Sequence, residues 1–327
     1  MTDPAAASAA PSRQRIAVVT TSYPTHPDDP SGHFVHAEVD ALRAEGHEVA
    51  VLAPVPEHGR GRDMPGVRWL AGGTAFGAPG ALPRLLARPL RAGPGAARFV
   101  WEARRALERL APDRIVAHFL LPCAWPIAVP RSGVRALEAV AHGSDVRLVS
   151  RLPRRLRAAI AKSLAGADVR CVSEELRQEL AAALGGALSI RVAPSPLVLP
   201  IRASRAEARA ALGVPASERL IVIVGRLVRQ KRIDAALRAA RTIPDAKALV
   251  IGDGPERRAL ELAFPEATFV GHEPRSRALT WIAAADLLLS ASRQEGAPSV
   301  VREARALGTP VLAVAAGDLE AWSRDDP

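Results

Sequence analysis

The chain of 327 residues is poor in the residues that several protein classes depend on. It contains two cysteines, Cys123 and Cys171, which are too few for a disulfide scaffold. Aromatic residues make up only 4% of the chain, too sparse for the stacking platforms that bind single-stranded nucleic acid. Nucleic acid is therefore not expected as a partner, because only the net charge of +10 favours it.

Several sequence signals are also missing. The chain contains no Asp-x-Asp triplet of the kind that clamps a metal-bound nucleotide, and no Cys/His spacing typical of zinc, so no metal site is predicted. No GxGxxG fingerprint follows the first apolar strand, which weakens a dehydrogenase interpretation. No apolar run reaches transmembrane length, and residues 1–14 lack the apolar core of a signal peptide. We expect a disordered tail at 1–14 and a cytoplasmic location.

What the chain does contain is a repeated alternation of apolar strands, turn-rich loops and helical segments. Residues 15–54 predict a strand, a loop, a helix and a second strand, and the same pattern restarts at 219–240. This alternation predicts an α/β protein with two Rossmann-like, doubly wound parallel sheets. We place the N-terminal domain at 15–195, a proline-rich linker at 196–204 and the C-terminal domain at 205–327.

The segment SASRQEGAPSVVREARALGTPVLAV, residues 290–314, predicts a loop, a helix, a turn and a strand. Pro298 suits the first helical turn, so Glu295 lies on the loop and Glu303 lies within the helix. The free N–H groups of this helix start favour a phosphate, which Gly296 allows to approach closely. Carboxylates would repel a phosphate, so they are better explained as acceptors for sugar or ribose hydroxyls. A surface helix with two solvated glutamates is the alternative.

Other polar residues follow predicted strands, at the edge of a doubly wound sheet where ligands bind. Gly32 closes the loop after the first strand, and His142 follows a strand near residues 136–140. Arg226 and Lys231 bracket the loop after the strand at 219–224, where two cations would neutralise a diphosphate. Each residue has an ordinary alternative explanation. Gly32 would then be a turn glycine, His142 a structural histidine, and Arg226 and Lys231 surface charges.

Residues 147–162 carry six basic side chains, no acidic one and a leucine or isoleucine at every fourth position. This pattern predicts one basic amphipathic helix, which could lie on an anionic membrane. The alternative is a domain helix whose apolar stripe faces the core. An anionic membrane surface is therefore a candidate partner, with the protein peripheral on the inner face of the cell membrane.

Taken together, these motifs resemble the retaining glycosyltransferases of the GT-B fold, family four. The most specific is the E-x7-E segment EGAPSVVRE, and AHGSD, GRLVRQK, VIGDGPE and FVGH stand in the family's usual order. The resemblance spans about residues 15–314. It implies two domains facing a cleft and transfer of a sugar from a UDP- or GDP-linked donor to a cell-envelope glycan or lipid-linked acceptor. It also implies that neither a cofactor nor a metal is needed.

The resemblance assigns donor-side roles to residues of the C-terminal domain. Arg226 and Lys231 would hold the diphosphate, Glu295 would face the donor sugar and Glu303 would accept from the ribose hydroxyls. The phosphate site would be completed by the backbone of Gly296, Ala297, Pro298 and Ser299.

In the N-terminal domain, the resemblance places His142 near the transferred sugar, with Asp145 supporting its loop. Gly32 would let the N-terminal loop approach the diphosphate, and His118 would face the acceptor side. The predicted catalytic set is His142, Glu295, Arg226 and Lys231.

The chain departs from the family pattern in three places. Between the domains, the more usual Asn-Gly segment is replaced by APSPLVLP. Arg232 follows Lys231, where the family usually has glycine. The chain also ends soon after the strand at 311–314, so we expect a C-terminal domain that is incomplete at its C-terminus. A shortened, non-catalytic homologue that binds a nucleotide or a partner protein is therefore an alternative to an enzyme. An epimerase or phosphorylase of the GT-B fold is a third.

Overall fold

The computed structural model of the chain describes residues 13–56, 64–76, 84, 89–129, 136–186 and 188–325. Residues 1–12 of the predicted disordered tail lie outside the described residues. Within the described part of the chain, the strands form two separate sheets of seven and five strands.

The first sheet lies in the N-terminal half and is parallel throughout, in the order β3-β2-β1-β4-β5-β6-β7. Its strands are β1 (Arg15–Val19), β2 (Glu48–Pro54), β3 (Val67–Leu70), β4 (Arg114–His118), β5 (Ala136–Ala141), β6 (Asp168–Cys171) and β7 (Ile190–Val192). The central strands read as near-continuous apolar runs because helices cover both faces of a parallel sheet.

The second sheet is also parallel, in the order β10-β9-β8-β11-β12. Its strands are β8 (Arg219–Val224), β9 (Ala246–Ile251), β10 (Thr268–Gly271), β11 (Leu287–Ser290) and β12 (Val311–Ala313). Both sheets are doubly wound, so the predicted fold class is confirmed. The segment 193–204 between them contains no helix or strand.

Helices connect the strands of both sheets. In the first domain they are α1 (His33–Ala44), α2 (Pro89–Leu110), α3 (Ser144–Ser150), α4 (Arg154–Leu164) and α5 (Glu174–Leu184), with an irregular helical segment at Leu120–Ala128. In the second they are α6 (Arg205–Leu212), α7 (Ile233–Ala240), α8 (Arg257–Ala263), α9 (Arg275–Ala284), α10 (Ser299–Ala306) and α11 (Leu319–Asp325).

The cores follow from the alternation of side chains along each strand. In β8, Leu220 and Val222 face the core shared with α6, α9 and α10, whereas Ile221 and Ile223 face the core shared with α7 and α8. All four side chains are nearly inaccessible to solvent. At about 25 cal/mol per Å² of apolar surface, this burial is the main stabilising term of the fold.

The predicted single helix over 147–162 is wrong, because the structure contains two helices there. α3 ends at Ser150, and α4 begins after Pro153, which acts as its N-cap residue. Proline cannot continue a helix, since it has no N–H and its ring disfavours helical backbone before it. The apolar stripe of α4 is split: Ile160 is buried, whereas Leu156 is exposed. No helix among the described residues is both long and apolar enough to cross a bilayer.

The C-terminal end of the second domain is partly covered. β12 is an edge strand, and its Leu312 side chain is 56% exposed. The short helix α11 follows and packs back on the domain, since Leu319 is buried there and Trp322 contacts the same core.

Each sheet reverses its winding direction at one point, between β1 and β4 in the first and between β8 and β11 in the second. At such points neighbouring loops diverge and leave a crevice at the carboxyl ends of the strands, where ligands bind in this class of fold. Gly32, His142, Lys231 and Glu295 all lie on loops that leave this edge of their sheets.

Candidate active site

The loop between β11 and α10 carries the first predicted carboxylate. Pro298 is the N-cap residue of α10, where the absence of its N–H costs nothing, and Gly308 has the positive φ of 75° expected just beyond a helix end. Glu295 lies on the loop and Glu303 on the helix. The first N–H groups of α10 are therefore aimed at the loop and can receive an anion.

Lys231 and Glu295 form an ion pair across the two loops. Lys231 Nζ lies 2.5 Å from Glu295 Oε1, and the side chains are 23% and 13% exposed. Lys231 ends a short 3-10 turn at Arg229–Lys231, and Arg226 lies on the same loop, with its side chain exposed. The pair fixes a cation and a carboxylate next to each other at the start of α10.

Glu303 is buried and has partners from both domains. Its Oε1 accepts a hydrogen bond from Arg275 Nη2 at 2.9 Å, and His33 Nε2 lies 3.5 Å from the same atom. Arg275 also donates to the carbonyl of Val198 at 2.7 Å. Burial lowers the pKa of His33, so this ring is mainly neutral beside the carboxylate.

The N-terminal loop after β1 is docked on helix α9 of the other domain. Asp28 accepts from the backbone N–H and the hydroxyl of Ser276, both at 2.7 Å, and its carbonyl accepts from the N–H of Arg275. Gly32 has a φ of 65°, and a Cβ there would lie 2.3 Å from the carbonyl oxygen of Ser22. Glycine is therefore required for the loop to close on itself.

His142 directly follows β5 and is half-buried among aromatic rings. Its ring centroid lies 4.8 Å from those of Phe34 and Phe119, and its Nε2 lies 3.0 Å from His118 Nδ1. Burial lowers the pKa of His142 well below its usual value, with the neighbouring His118 and Arg170 adding to the effect.

Asp145 holds the loop that carries His142. Its Oδ1 accepts from the N–H groups of His142 and Gly143, and its Oδ2 accepts from Leu120. Burial raises the pKa of this carboxyl, while the three backbone donors oppose the rise. Asp145 therefore fixes the end of β5 to the irregular segment after β4.

The two loops that carry His142 and Glu295 meet across the cleft. A Cβ on Gly296 would lie only 2.6 Å from the carbonyl oxygen of His142, and 3.0 Å from a methyl of Leu176. Ala297 also packs against the core of the N-terminal domain. The structure thus brings His142, Lys231, Glu295 and the start of α10 together.

His118 occupies a different environment from the predicted one. It was expected to face the acceptor side, but its side chain is completely buried, behind the ring of His142. As the last residue of β4 it lies between the ring of His142 and the carboxylate of Glu38 on α1. Burial and the Arg170 cation lower its pKa to about 3.

Three residues of this region were not predicted from the sequence. They are Arg275 and His33, which contact Glu303, and Asp28, which binds the start of α9. A fourth, Asp318, accepts from the N–H groups of Glu174 and Glu175 at the start of α5, again across the domains. Only Asp28, in a turn-rich loop before a helix, carried any local signal. No three His, Cys, Asp or Glu side chains of the described residues cluster as ligands for a metal ion.

Comparison with known proteins identifies this pairing of domains. A family model described as Glycosyltransferase Family 4 matches residues 31–197, and one described as Glycosyl transferases group 1 matches residues 204–321. A Bacillus subtilis (strain 168) protein named as a teichuronic acid biosynthesis glycosyltransferase, TuaC, is 30% identical over 330 aligned residues. That alignment covers 93% of this chain and 81% of TuaC.

Solved structures agree with this assignment at the level of the fold. Sucrose-phosphate synthase from Thermosynechococcus elongatus superposes with a TM-score of 0.75 at 22% identity, covering 94% of this chain and 83% of that one. Anabaena HepE, solved with UDP-glucose, superposes with a TM-score of 0.64 at 18% identity, covering 94% and 82%. The chain therefore belongs to the glycosyltransferases of the two-domain GT-B type, with a family 4 domain followed by a group 1 domain.

Proposed function

We propose that the protein transfers a hexose-type sugar from a UDP- or GDP-linked donor to a cell-envelope glycan or a lipid-linked acceptor. The transfer retains the anomeric configuration and requires no metal ion. The observation that carries this proposal is the Lys231–Glu295 pair at the start of α10, opposite His142 across the cleft. A cation, free helix N–H groups and carboxylates together suit a diphosphate that is flanked by hydroxyl groups.

The relatives support the choice of substrate class. TuaC is named for teichuronic acid biosynthesis, and HepE was solved with UDP-glucose. A UDP-linked donor and a glycan acceptor are the simplest extension of both names to this chain. A GDP-linked donor has the same diphosphate and remains the second candidate.

Binding of the donor would break the ion pair between Lys231 and Glu295. A diphosphate carries more negative charge than Glu295 and competes with it for Lys231, aided by Arg226 and the dipole of α10. The released Glu295 carboxylate can then accept a hydrogen bond from a sugar hydroxyl. Glu303, already held by Arg275, accepts from the ribose hydroxyls without first losing its own partner.

The chemical step follows from this arrangement. The bond between the sugar's anomeric carbon and the diphosphate oxygen breaks, and the acceptor oxygen forms a new bond on the same face. The acceptor's proton passes to the departing phosphate oxygen. The protein then contributes positioning and stabilisation of the diphosphate's charge, without forming a covalent intermediate.

A lipid-linked acceptor would bring the protein to the inner face of the cell membrane. Exposed residues on α4 suit an anionic surface, since Arg154, Arg155 and Leu156 lie together on its first turn. On α2, the Trp101 side chain is exposed, with the Arg105 guanidinium 4.2 Å above its ring. Sedimentation with anionic vesicles, but not with neutral ones, is the expected result.

The donor class is tested by thermal unfolding with UDP-glucose, GDP-mannose and the free nucleosides. Stabilisation by one nucleotide-sugar, with little effect of its nucleoside, is expected, because binding to the native state raises the unfolding temperature. Release of the nucleoside diphosphate with the same donor would show turnover. No stabilisation by any nucleotide-sugar would contradict the proposal and favour a non-catalytic binding protein.

Substitutions of the two glutamates test the site itself. Glu303→Ala should weaken donor binding, and Glu295→Ala should mainly lower turnover. Glu218→Ala is a matched control, because Glu218 also pairs with a lysine, Lys247, but at the amino end of the sheet. If both site variants behaved like Glu218→Ala in an active preparation, the site would be misassigned.

A further inference from the structure

The rings of His118 and His142 form a hydrogen-bonded pair. Their ring planes are 20° apart with centroids at 5.2 Å, so the rings lie edge to edge, and His118 Nδ1 lies 3.0 Å from His142 Nε2. Two bare nitrogens cannot bond at this distance, so one of these two atoms carries the hydrogen. The geometry alone does not say which.

Glu38, on helix α1, lies on the far side of His118. Its Oε2 is 3.9 Å from His118 Nε2, and both atoms are buried without a hydrogen-bond partner. The other oxygen, Oε1, accepts from Arg170, a buried residue that also pairs with Glu138. Arg170 therefore pairs with Glu38 as a carboxylate, and a carboxylate oxygen such as Oε2 can only accept a hydrogen bond.

The orientation of the pair follows from this carboxylate. A hydrogen on His118 Nε2 faces Glu38 Oε2 favourably, whereas a bare Nε2 would set two lone pairs against each other in a buried site. Both rings are neutral, because burial and Arg170 hold their pKa values far below the usual range. A neutral His118 with its hydrogen on Nε2 has a bare Nδ1, which accepts from His142 Nε2–H.

We propose that Glu38 and His118 are positioning residues that fix His142 with its hydrogen on Nε2, so that its bare Nδ1 accepts a hydrogen bond from a hydroxyl of the donor sugar. The part that concerns the sugar rests on the proposed function. Of the two rings, only His142 is accessible from solvent. The chain of contacts from Glu38 through His118 to His142, here called the relay, thus determines which kind of substrate group the His142 ring recognises. That group is a hydrogen-bond donor such as a hydroxyl.

The protonation pattern is measured directly on the full chain without any substrate. In two-bond ¹H–¹⁵N spectra of protein labelled with ¹⁵N-histidine, both His118 and His142 should show a protonated Nε2 and a bare Nδ1. A His142 protonated on Nδ1 in the wild-type protein would overturn the inference.

Glu38→Gln tests the direction of the relay. The glutamine amide can donate to His118 Nε2, which allows the hydrogen between the rings to move to His118 Nδ1. His142 should then carry its hydrogen on Nδ1 in part or all of the molecules. Glu138→Gln is the matched control, because it also removes a carboxylate beside Arg170 but does not face His118. A shift in both variants, or in neither, would refute the role of Glu38.

The kinetic consequence separates this inference from the proposed function. In Glu38→Gln, kcat/KM for the nucleotide-sugar should fall about tenfold, while the affinity for the free nucleoside diphosphate stays within about twofold of wild type. An equal loss for both ligands would indicate general damage and contradict the positioning role. If the spectra show the expected pattern but no nucleotide-sugar binds, the proposed function fails and the relay stands.

Discussion

Arg275 Nη2 lies 2.9 Å from Oε1 of Glu303, a buried carboxylate that His33 approaches from the other domain. In the proposed function, Glu303 binds the donor's ribose. Its orientation therefore depends on an arginine 28 residues away on another helix. Under that proposal, donor recognition by Glu303 would depend on the packing of α9 against α10.

Arg275→Ala should weaken donor binding about ten- to hundredfold, because the charge-assisted bond that orients Glu303 is lost, at roughly 1.5–3 kcal/mol for such bonds. Arg275→Lys should recover part of the affinity, since it restores the charge but not the contact with Val198. Titration calorimetry with the nucleoside diphosphate measures both. Arg277→Ala, on the exposed face of the same helix, should bind like wild type. Undiminished affinity in Arg275→Ala would show that Glu303 needs no support.

Gly296→Ala should lower the transfer rate at least about tenfold, because a 1 Å misplacement of reacting groups can cost about a hundredfold. The added methyl would meet the carbonyl oxygen of His142 at 2.6 Å, so the two loops must separate. The unfolding temperature should fall less than the transfer rate, because the core side chain that the methyl meets is Leu176, whose flexible methyl lies 3.0 Å away and can shift. Gly166→Ala is the control, as its Cβ would meet nothing within 4 Å. Wild-type turnover in Gly296→Ala would mean that the loops separate freely during catalysis.

Lys231→Ala should reduce affinity for a nucleotide-diphospho-sugar about tenfold or more and leave affinity for the free nucleoside nearly unchanged. The lysine would contact only the diphosphate, where ionised partners make the strongest hydrogen bonds. Competition binding with both ligands measures the difference. Lys247→Ala removes the other lysine of a Lys–Glu pair, at the opposite edge of the sheet, and should alter neither affinity. Equal losses for nucleoside and sugar donor would count against a diphosphate role.

Stability should fall as the solution is acidified, because of the buried histidines. The pKa of His118 is about 3 in the folded chain, below its unfolded value, so the unfolded state binds more protons between these values. The contribution of His118 to the free energy of unfolding is complete above its pKa in the unfolded chain. This contribution is lost as the pH falls towards its pKa in the folded chain. Between about pH 7 and pH 5 the loss is about 2 kcal/mol for one such histidine.

Urea unfolding at both pH values measures this loss. His118→Gln should reduce the acid loss by about 2 kcal/mol, and His272→Gln, at an exposed site, should leave it as in wild type. An acid loss that is the same with and without His118 would show that this ring is protonated in the folded chain.

Local patterns predicted most of what is local in this structure. The strand, loop and helix order of both sheets was readable because apolar periodicity is encoded within short segments. The same holds for α10, whose start at Pro298 and end before Gly308 rest on adjacent residues. The split between α3 and α4 was also readable, from Pro153, but the regular spacing of leucines outweighed it in the prediction of one helix.

The remaining features depend on residues that are distant in the chain. Asp28 and Ser276 are 248 positions apart, and nothing in either segment identifies the other as a partner. The burial of His118 was likewise hidden, because its neighbours Glu38 and His142 come from α1 and from the loop after β5. Short edge strands such as β3 and β7 have too few residues to show a period.

Asp28 and Asp318 each bind the first N–H groups of a helix that belongs to the opposite domain. To open the cleft, both helix starts must give up these caps, at roughly 1 kcal/mol each. Together, these two caps would favour the closed form over the open form about thirtyfold. If the proposed transfer needs the cleft to open for product release, its rate would depend on how often both aspartate caps are broken at the same time.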